Sequence, residues 1–185
     1  MIKNKIAKSI GVINKAKYLL TSLHLKLLYR TLIEPYLNYC CMIWARPEKT
    51  TILEAIHRLQ KRSVRIISFA TEHIYSKPLF VRHNILNIYD LCQLQILLFV
   101  FKSINHLLLP RYFNYFTLIE NIHHYSTRSS EDGKLYISSA KKLCRINTLA
   151  VWGPKCWNSL PAQIRSPSSL YSFKAGLKIF VVSLS

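Results

Sequence analysis

The basic residues between positions 58 and 65 recur at the spacing of one helical turn. Arg58 and Arg62 are four residues apart, as are Lys61 and Arg65, so a helix would carry all four side chains on one face. Like charges at this spacing repel one another unless an anion lies close by, and nucleic-acid phosphates are such anions. The sequence therefore predicts phosphate contacts at these four residues. The alternative is the solvated face of an amphipathic helix.

Aromatic and histidine side chains surround the basic segment in the sequence. Trp44, Phe69 and Tyr75 belong to the residue types that stack on nucleic-acid bases. His57 and His73 flank the segment, and nothing in their spacing indicates a catalytic pair, so we expect both at the surface. The rings agree with a nucleic-acid-binding surface.

Catalytic chemistry finds little support in this sequence. Two-metal phosphoryl transfer needs several converging carboxylates, and the only aspartates, Asp90 and Asp132, lie in different segments. There is no HExxH motif and no glycine-rich phosphate loop. The sequence therefore predicts no catalytic residue, no metal site and no cofactor, and we do not expect the chain to be an enzyme on its own.

The charge balance indicates a polyanionic partner. Twenty-six Lys and Arg residues face eight Asp and Glu residues, which gives a net charge of +18. Nucleic acid is the first candidate, an anionic membrane surface the second, and a basic protein without such a partner the third. The longest apolar run is closed by Asp90 and Lys102, well short of the ~20 residues that span a bilayer, so no segment is predicted to cross a membrane. With nucleic acid as the preferred partner, we expect no membrane partner.

The five cysteines indicate a reducing compartment. No CxxC motif occurs, and the odd number fits neither a disulfide framework nor a common zinc pattern. We therefore expect buried free thiols and an intracellular protein, either nuclear or cytoplasmic. The residues concerned are Cys40, Cys41, Cys92, Cys144 and Cys156.

Hydrophobic periodicity predicts a mainly α protein, a bundle of about five to six helices. Pro35 must kink or divide the second helix, because proline lacks the backbone donor. In the third, Ile52, Ile56, Leu59, Ile66 and Ile67 form one apolar arc opposite the basic residues. The predicted helical segments are residues 2–20, 23–45, 51–69, 79–109 (a short helix, then a long apolar one), 149–160 and 166–183.

The region after Pro110 loses this periodicity. Residues 117–147 predict a less regular segment with a turn at Asp132-Gly133 and a short strand at "KLYIS". In "VWGPKCWNSLP", Trp152 and Trp157 are predicted to pack in the core. We expect two parts, residues 1–110 and residues 111–185.

A series of strings then resembles one known family. Taken together and in this order, they are similar to the region that follows the catalytic palm in reverse transcriptases of non-LTR (LINE-like) retrotransposons. The strings are "KSIGVINKAKYLL", "LYRTLIEPYLNYCCMIWA", "LQKRSVRIIS", "SKPLF", "ILNIYDL", "YSTRSS", "WGPKCWNSLPAQIR" and "SFKAGLKIF".

The resemblance implies a thumb-like helical region at residues 1–110 and a connector at residues 111–185. In the family this part grips RNA or the template–primer duplex (RNA–DNA or DNA) independently of sequence and packs against the palm, whose aspartate pair has no counterpart here. The first hypothesis is therefore a nucleic-acid-binding C-terminal fragment of an RNA-directed DNA polymerase that lacks the polymerase active site. The alternative is a structural relic of a decayed element without independent activity.

Overall fold

The computed structural model describes residues 2–39, 41–44, 51–71, 73–122, 133–146, 148–165 and 169–184. Helices dominate these residues, and among them β-structure is limited to one isolated bridge. Six of the α-helices in this part of the chain have ten or more residues. The prediction of a mainly α protein is confirmed.

The first helix, α1 (Ile2–Ala16), is amphipathic and buries one face. Ile6, Ile10 and Ile13 are at most 3% exposed, and their spacing of four and three residues is that of one helical stripe. The helix ends before the predicted residue 20, because Leu19 and Leu20 both donate their N–H groups to the carbonyl of Ala16 in a closing turn. The stripe packs α1 against the helices that follow.

Pro35 divides the second predicted helix instead of kinking it. Helix α2 (Ser22–Leu32) stops before the proline, α3 (Glu34–Asn38) contains it, and α4 (Cys41–Trp44) follows. Pro35 lies in the first turn of α3, where its missing N–H would have had no helical partner. The division therefore costs no backbone hydrogen bond at the proline itself.

Helix α5 (Thr51–Ile67) carries the basic segment, and its buried face differs from the predicted arc. Ile56 and Ile67 are buried as expected, and Leu59 and Ile66 are half-buried. Ile52, in contrast, is 64% exposed, so its place in the arc was wrong. The complete buried face consists of Leu53, Ile56, Gln60, Ser63, Val64 and Ile67.

The hydrogen bonds of the buried Gln60 amide account for this difference between the predicted and the observed buried face of α5. Its Nε2 donates to the hydroxyl of Tyr29 and to the carbonyl of Leu86, both at 2.8 Å, and its Oε1 accepts from the N–H of Ile88 at 2.9 Å. Burial raises the pKa of Tyr29, so its hydroxyl stays protonated. A polar group with all these partners can be buried at little cost, and it joins α2, α5 and residues 86–88.

Helix α6 (Lys77–Arg82) and the long apolar helix α7 (Ile88–Ile104) complete the helices of the N-terminal half. Contacts divide the chain between Cys92 and Gln93, inside α7, into two units. In the N-terminal unit, α1, α2 and α5 pack around a common core. The predicted boundary after residue 110 concerned folding domains, and a division by contacts does not test it.

The C-terminal unit begins with the remainder of α7. Among its other described residues, two 3₁₀ turns, Pro110–Tyr112 and Ile119–Asn121, precede four α-helices. Trp157 is buried and donates its indole N–H to the carbonyl of Gly133 at 3.1 Å, whereas Trp152 is half-buried. The helices are α8 (Leu143–Ile146), α9 (Leu149–Asn158), α10 (Ala162–Arg165) and α11 (Leu170–Leu184).

The irregular segment near 117–147 holds one antiparallel bridge, between Leu118 and Leu135, and no strand among its described residues. The side-chain amide of Asn158 bonds both the N–H and the carbonyl of Leu135 at 2.8 Å, which fixes this residue against α9. The predicted strand is therefore reduced to one pair of residues. Asp132 of the predicted turn lies outside the described residues.

The cysteines that the structure describes are buried free thiols, as the sequence predicted. Cys41 and Cys92 contact each other in the N-terminal unit, and Cys156 is buried in α9. Burial raises the pKa of Cys156 to about 12. Cys40 and the side chain of Cys144 lie outside the described part.

Candidate nucleic-acid interface

The basic face of α5 lies opposite the side that the helix buries in the core. Arg58 and Arg62 are exposed, and Lys61 and Arg65 are half-buried. The helix prediction thus places all four side chains as expected, on one element and outside the core. The apolar residues on the other side hold this face in position.

Arg65 has a second contact that the sequence did not indicate. Its Nε donates a hydrogen bond to the carbonyl oxygen of Ile74 at 3.2 Å, which ties the segment after α5 back onto the helix. The guanidinium retains further N–H groups that can donate to an anion. Arg65 therefore combines a structural contact with a charge that borders solvent.

The positive charge on this face is poorly compensated. Within the part of the chain that the structure describes, no ion pair joins Arg58, Lys61 or Arg62 to an acidic side chain. Glu54 lies one turn before Arg58, in the first turn of α5, and is half-buried. Uncompensated cations on one face raise the local potential and attract anions.

A cleft of about 630 Å³ lies between the C-terminal ends of α1 and α5. Arg62 and Arg65 line it from α5, Lys17 and Tyr18 line it from the turn after α1, and Phe69 lines it from just beyond α5. The ammonium of Lys17 lies 5.0 Å from the ring centre of Tyr18. The cleft therefore combines three cations with two aromatic rings.

Sequence reasoning missed Lys17 and Tyr18. The periodicity of α1 indicates which face is apolar, but it does not indicate that this face packs against α5. Phe69 was noted as a neighbour of the basic segment, and of the two predicted stacking residues whose side chains the structure describes, it is the one that borders the cleft. Tyr75 is exposed, and the side chain of Trp44 lies outside the described part.

Phe69 has an unusual backbone conformation for its type. Its φ is 53°, in the left-handed region. The N–H of Ala70 bonds the carbonyl of Arg65 at 3.0 Å and the N–H of Phe69 bonds that of Ile66 at 3.2 Å, which is the Schellman pattern of a helix end. Glycine usually occupies this position, and another residue costs about 1 kcal/mol there. The ring is 58% exposed.

The two flanking histidines differ from each other. His73 is exposed as predicted, whereas His57 is half-buried, so the expectation for His57 was wrong. Its ring packs against those of Phe80 and Tyr89. Burial, and secondarily the charge of Lys61, lower the pKa of His57, which keeps the imidazole neutral near pH 7.

The arrangement of Ser68 and His83 is structural in character. The Ser68 hydroxyl lies 2.8 Å from both the carbonyl of Val64 and Nε2 of His83. A hydroxyl has one proton, so if it donates to Val64 then Nε2–H of His83 donates to Ser68, which is the reverse of a nucleophile–base pair. Burial lowers the pKa of His83. The pair joins the ends of α5 and α6.

The described residues hold neither a metal-binding cluster nor a membrane-spanning helix. Among the described residues, no group of three or more His, Cys, Asp or Glu side chains could hold a metal ion. In the same part of the chain, no helix is both long enough and apolar enough to cross a membrane. Comparisons with protein-family models, curated proteins and solved structures find no match to this chain.

Proposed function

We propose that this chain binds nucleic acid through the sugar–phosphate backbone, independently of sequence, by means of the basic face of α5. The observation that carries the proposal is the uncompensated row of cations that a buried helix face holds in place. Arg58 and Arg62 are exposed at adjacent turns of the same helix. The formal net charge of +18 adds a long-range attraction for any polyanion.

Charge reversal on α5 tests this proposal. We expect Arg58→Glu with Arg62→Glu to lower the affinity for a fluorescein-labelled RNA–DNA duplex about tenfold or more in fluorescence anisotropy titrations at low salt. The slope of log K against log salt should fall by about two, since each phosphate contact contributes about 0.9. The loss should be similar for duplexes of unrelated sequence, because phosphate contacts carry no sequence information.

A matched control separates the surface from the total charge. Lys8→Glu with Lys15→Glu produces the same net charge, since each double variant falls from +18 to +14 (two charge units per substitution). Both lysines are exposed on the side of α1 opposite its buried isoleucines. Equal losses for the two double variants would contradict a role for α5, and no binding by the unchanged chain at low salt would end the proposal.

The motif resemblance supplies the wider context of the proposal. We place the chain as a thumb-and-connector region of a non-LTR retrotransposon reverse transcriptase, intracellular, inactive as a polymerase by itself, and dependent on a palm for catalysis. The helical architecture agrees with that context, but the quoted strings are what support it. Addition of the purified chain to a palm-containing polypeptide of the same element should restore primer extension; no gain in extension would count against this context.

The alternative of a structural relic is favoured by one observation. Leu19, Leu23 and Leu27 are 88%, 74% and 60% exposed, so apolar side chains lie open at the end of α1 and along α2. Large exposed apolar surfaces favour aggregation. A relic should melt broadly and aggregate, whereas a functional binding module should show one cooperative transition in urea.

A further inference from the structure

The cleft between α1 and α5 has features that backbone binding alone does not require. Its volume of about 630 Å³ is within the range of roughly 300–1,000 Å³ that is usual for small-ligand sites. A duplex can rest along the exposed arginines of α5 from outside. The cleft, which Arg62 and Arg65 help to line, has the volume of a site for a smaller group.

The lining of the cleft combines the two kinds of contact that a nucleotide needs. Lys17, Arg62 and Arg65 supply positive charge for a phosphate. Tyr18 and Phe69 supply aromatic rings, and these rings are 79% and 58% exposed. Base–aromatic stacking tolerates any sequence, because every base has a π-face.

The rings also indicate the state of the nucleic acid. Inside a duplex each base is already stacked between its neighbours, so stacking of a protein ring there requires the duplex to be unstacked, whereas an unpaired base offers its face without this cost. Phe69 occupies a left-handed position at which glycine would be easier, and its ring borders the cleft. The geometry therefore favours a single-stranded ligand.

We infer that the cleft between α1 and α5 binds one unpaired nucleotide of a single strand, with its base on Tyr18 and Phe69 and its phosphate on Lys17, Arg62 and Arg65. This inference rests on the proposed binding of nucleic acid by α5. It adds a preference for a single-stranded segment, such as an overhang that continues from a duplex on the basic face.

The test compares oligonucleotides of equal charge with and without bases. Anisotropy titrations use a labelled thymidine 12-mer, an abasic 12-mer with the same phosphates, and a blunt duplex. The unchanged chain should bind the thymidine strand about fivefold or more tighter than the abasic strand, which is the smaller end of the range for base–aromatic stacking. Phe69→Gly should reduce this ratio to near one and leave the affinity for the blunt duplex unchanged.

Glycine is chosen at position 69 because this variant should remain folded. Glycine is the preferred residue at a left-handed helix end, so Phe69→Gly should retain the helix content measured by circular dichroism. His106→Gly is the matched control, because His106 is also an exposed ring in the left-handed region, with φ of 55°. Tyr18→Leu is a second variant, which removes the other ring from the cleft.

Each outcome decides between the two proposals. Loss of the base preference in Phe69→Gly and Tyr18→Leu, but not in His106→Gly, supports the nucleotide site. Duplex binding with equal affinity for the thymidine and abasic strands overturns the nucleotide site and leaves the proposed function intact. An equal effect of His106→Gly also overturns the nucleotide site, and absence of all binding at low salt overturns both proposals.

Discussion

Replacement of Gln60 by leucine removes the polar group that joins three parts of the N-terminal unit. The variant loses the hydrogen bonds to Tyr29, Leu86 and Ile88. It leaves the carbonyl of Leu86 and the N–H of Ile88 without this partner, and Ile88 is 0% exposed. A buried polar group without a partner costs about 1–3 kcal/mol, so two of them cost about 2–6 kcal/mol.

The apolar side chain of leucine offsets part of this loss of stability. Burial of the additional apolar surface contributes about 1–2 kcal/mol, which at the middle of both ranges leaves a net loss of about 2–3 kcal/mol in the free energy of unfolding. For an m-value of about 2 kcal/mol/M, the urea midpoint should fall by about 1–1.5 M. Urea titrations followed by circular dichroism at 222 nm measure this shift directly.

Two companion variants make the result specific. Gln163→Leu is the matched control, since Gln163 is exposed on α10 and its replacement should change stability by less than about 0.5 kcal/mol. Tyr29→Phe should cost less in the Gln60→Leu background than alone, by about 1 kcal/mol, because the hydroxyl has already lost its donor. If Gln60→Leu is as stable as the unchanged chain, the structural role assigned to this amide is wrong.

The remaining predictions concern pH, backbone strain and thiol reactivity. Burial lowers the pKa values of His57 and His83. The stability that the two neutral imidazoles contribute is therefore complete above the pKa of unfolded histidine, about 6.5, and is lost as the pH falls from there toward the folded pKa values. The urea midpoint should be lower at pH 5.5 than at pH 7.5, and a higher midpoint at pH 5.5 would contradict this explanation. Phe69→Gly should raise the free energy of unfolding by about 1 kcal/mol, because it relieves the left-handed strain; a lower urea midpoint would refute this explanation. In a variant whose other cysteines are serine, Cys156 should react with a thiol reagent at least about tenfold more slowly in the native state than in urea, because only the thiolate attacks the reagent and burial disfavours the thiolate; equal rates would contradict its burial.

The sequence was most informative where local pattern decides the structure. The amphipathic period predicted α5 within two residues at its C-terminal end, and Pro35 predicted a break that the structure shows as a division between α2 and α3. Both depend on interactions within a few residues, which the order of residue types determines. The mainly α architecture follows from the same local signals.

The sequence was least informative where distant elements meet. Hydrophobicity alone placed Ile52 in the apolar arc and left Gln60 outside it, whereas the structure exposes the isoleucine and buries the amide. The partners of Gln60 are 26 to 31 residues away along the chain, so no local pattern could show that its burial would be compensated. The position of Lys17 in the cleft could not be predicted for the same reason, since only the packing of α1 on α5 brings this residue there.

Substitutions of the basic residues on α5 differ in how directly their effect on binding can be interpreted. Arg58 and Arg62 are exposed, and no described residue forms an ion pair with either, so reversal of their charge should change binding without removing a contact within the fold. Arg65 also holds the carbonyl of Ile74, so its replacement would alter both charge and the segment after the helix. A loss of affinity at Arg58 and Arg62 with an unchanged urea midpoint can therefore be assigned to the charge of the surface, because the buried opposite face of α5 maintains the fold.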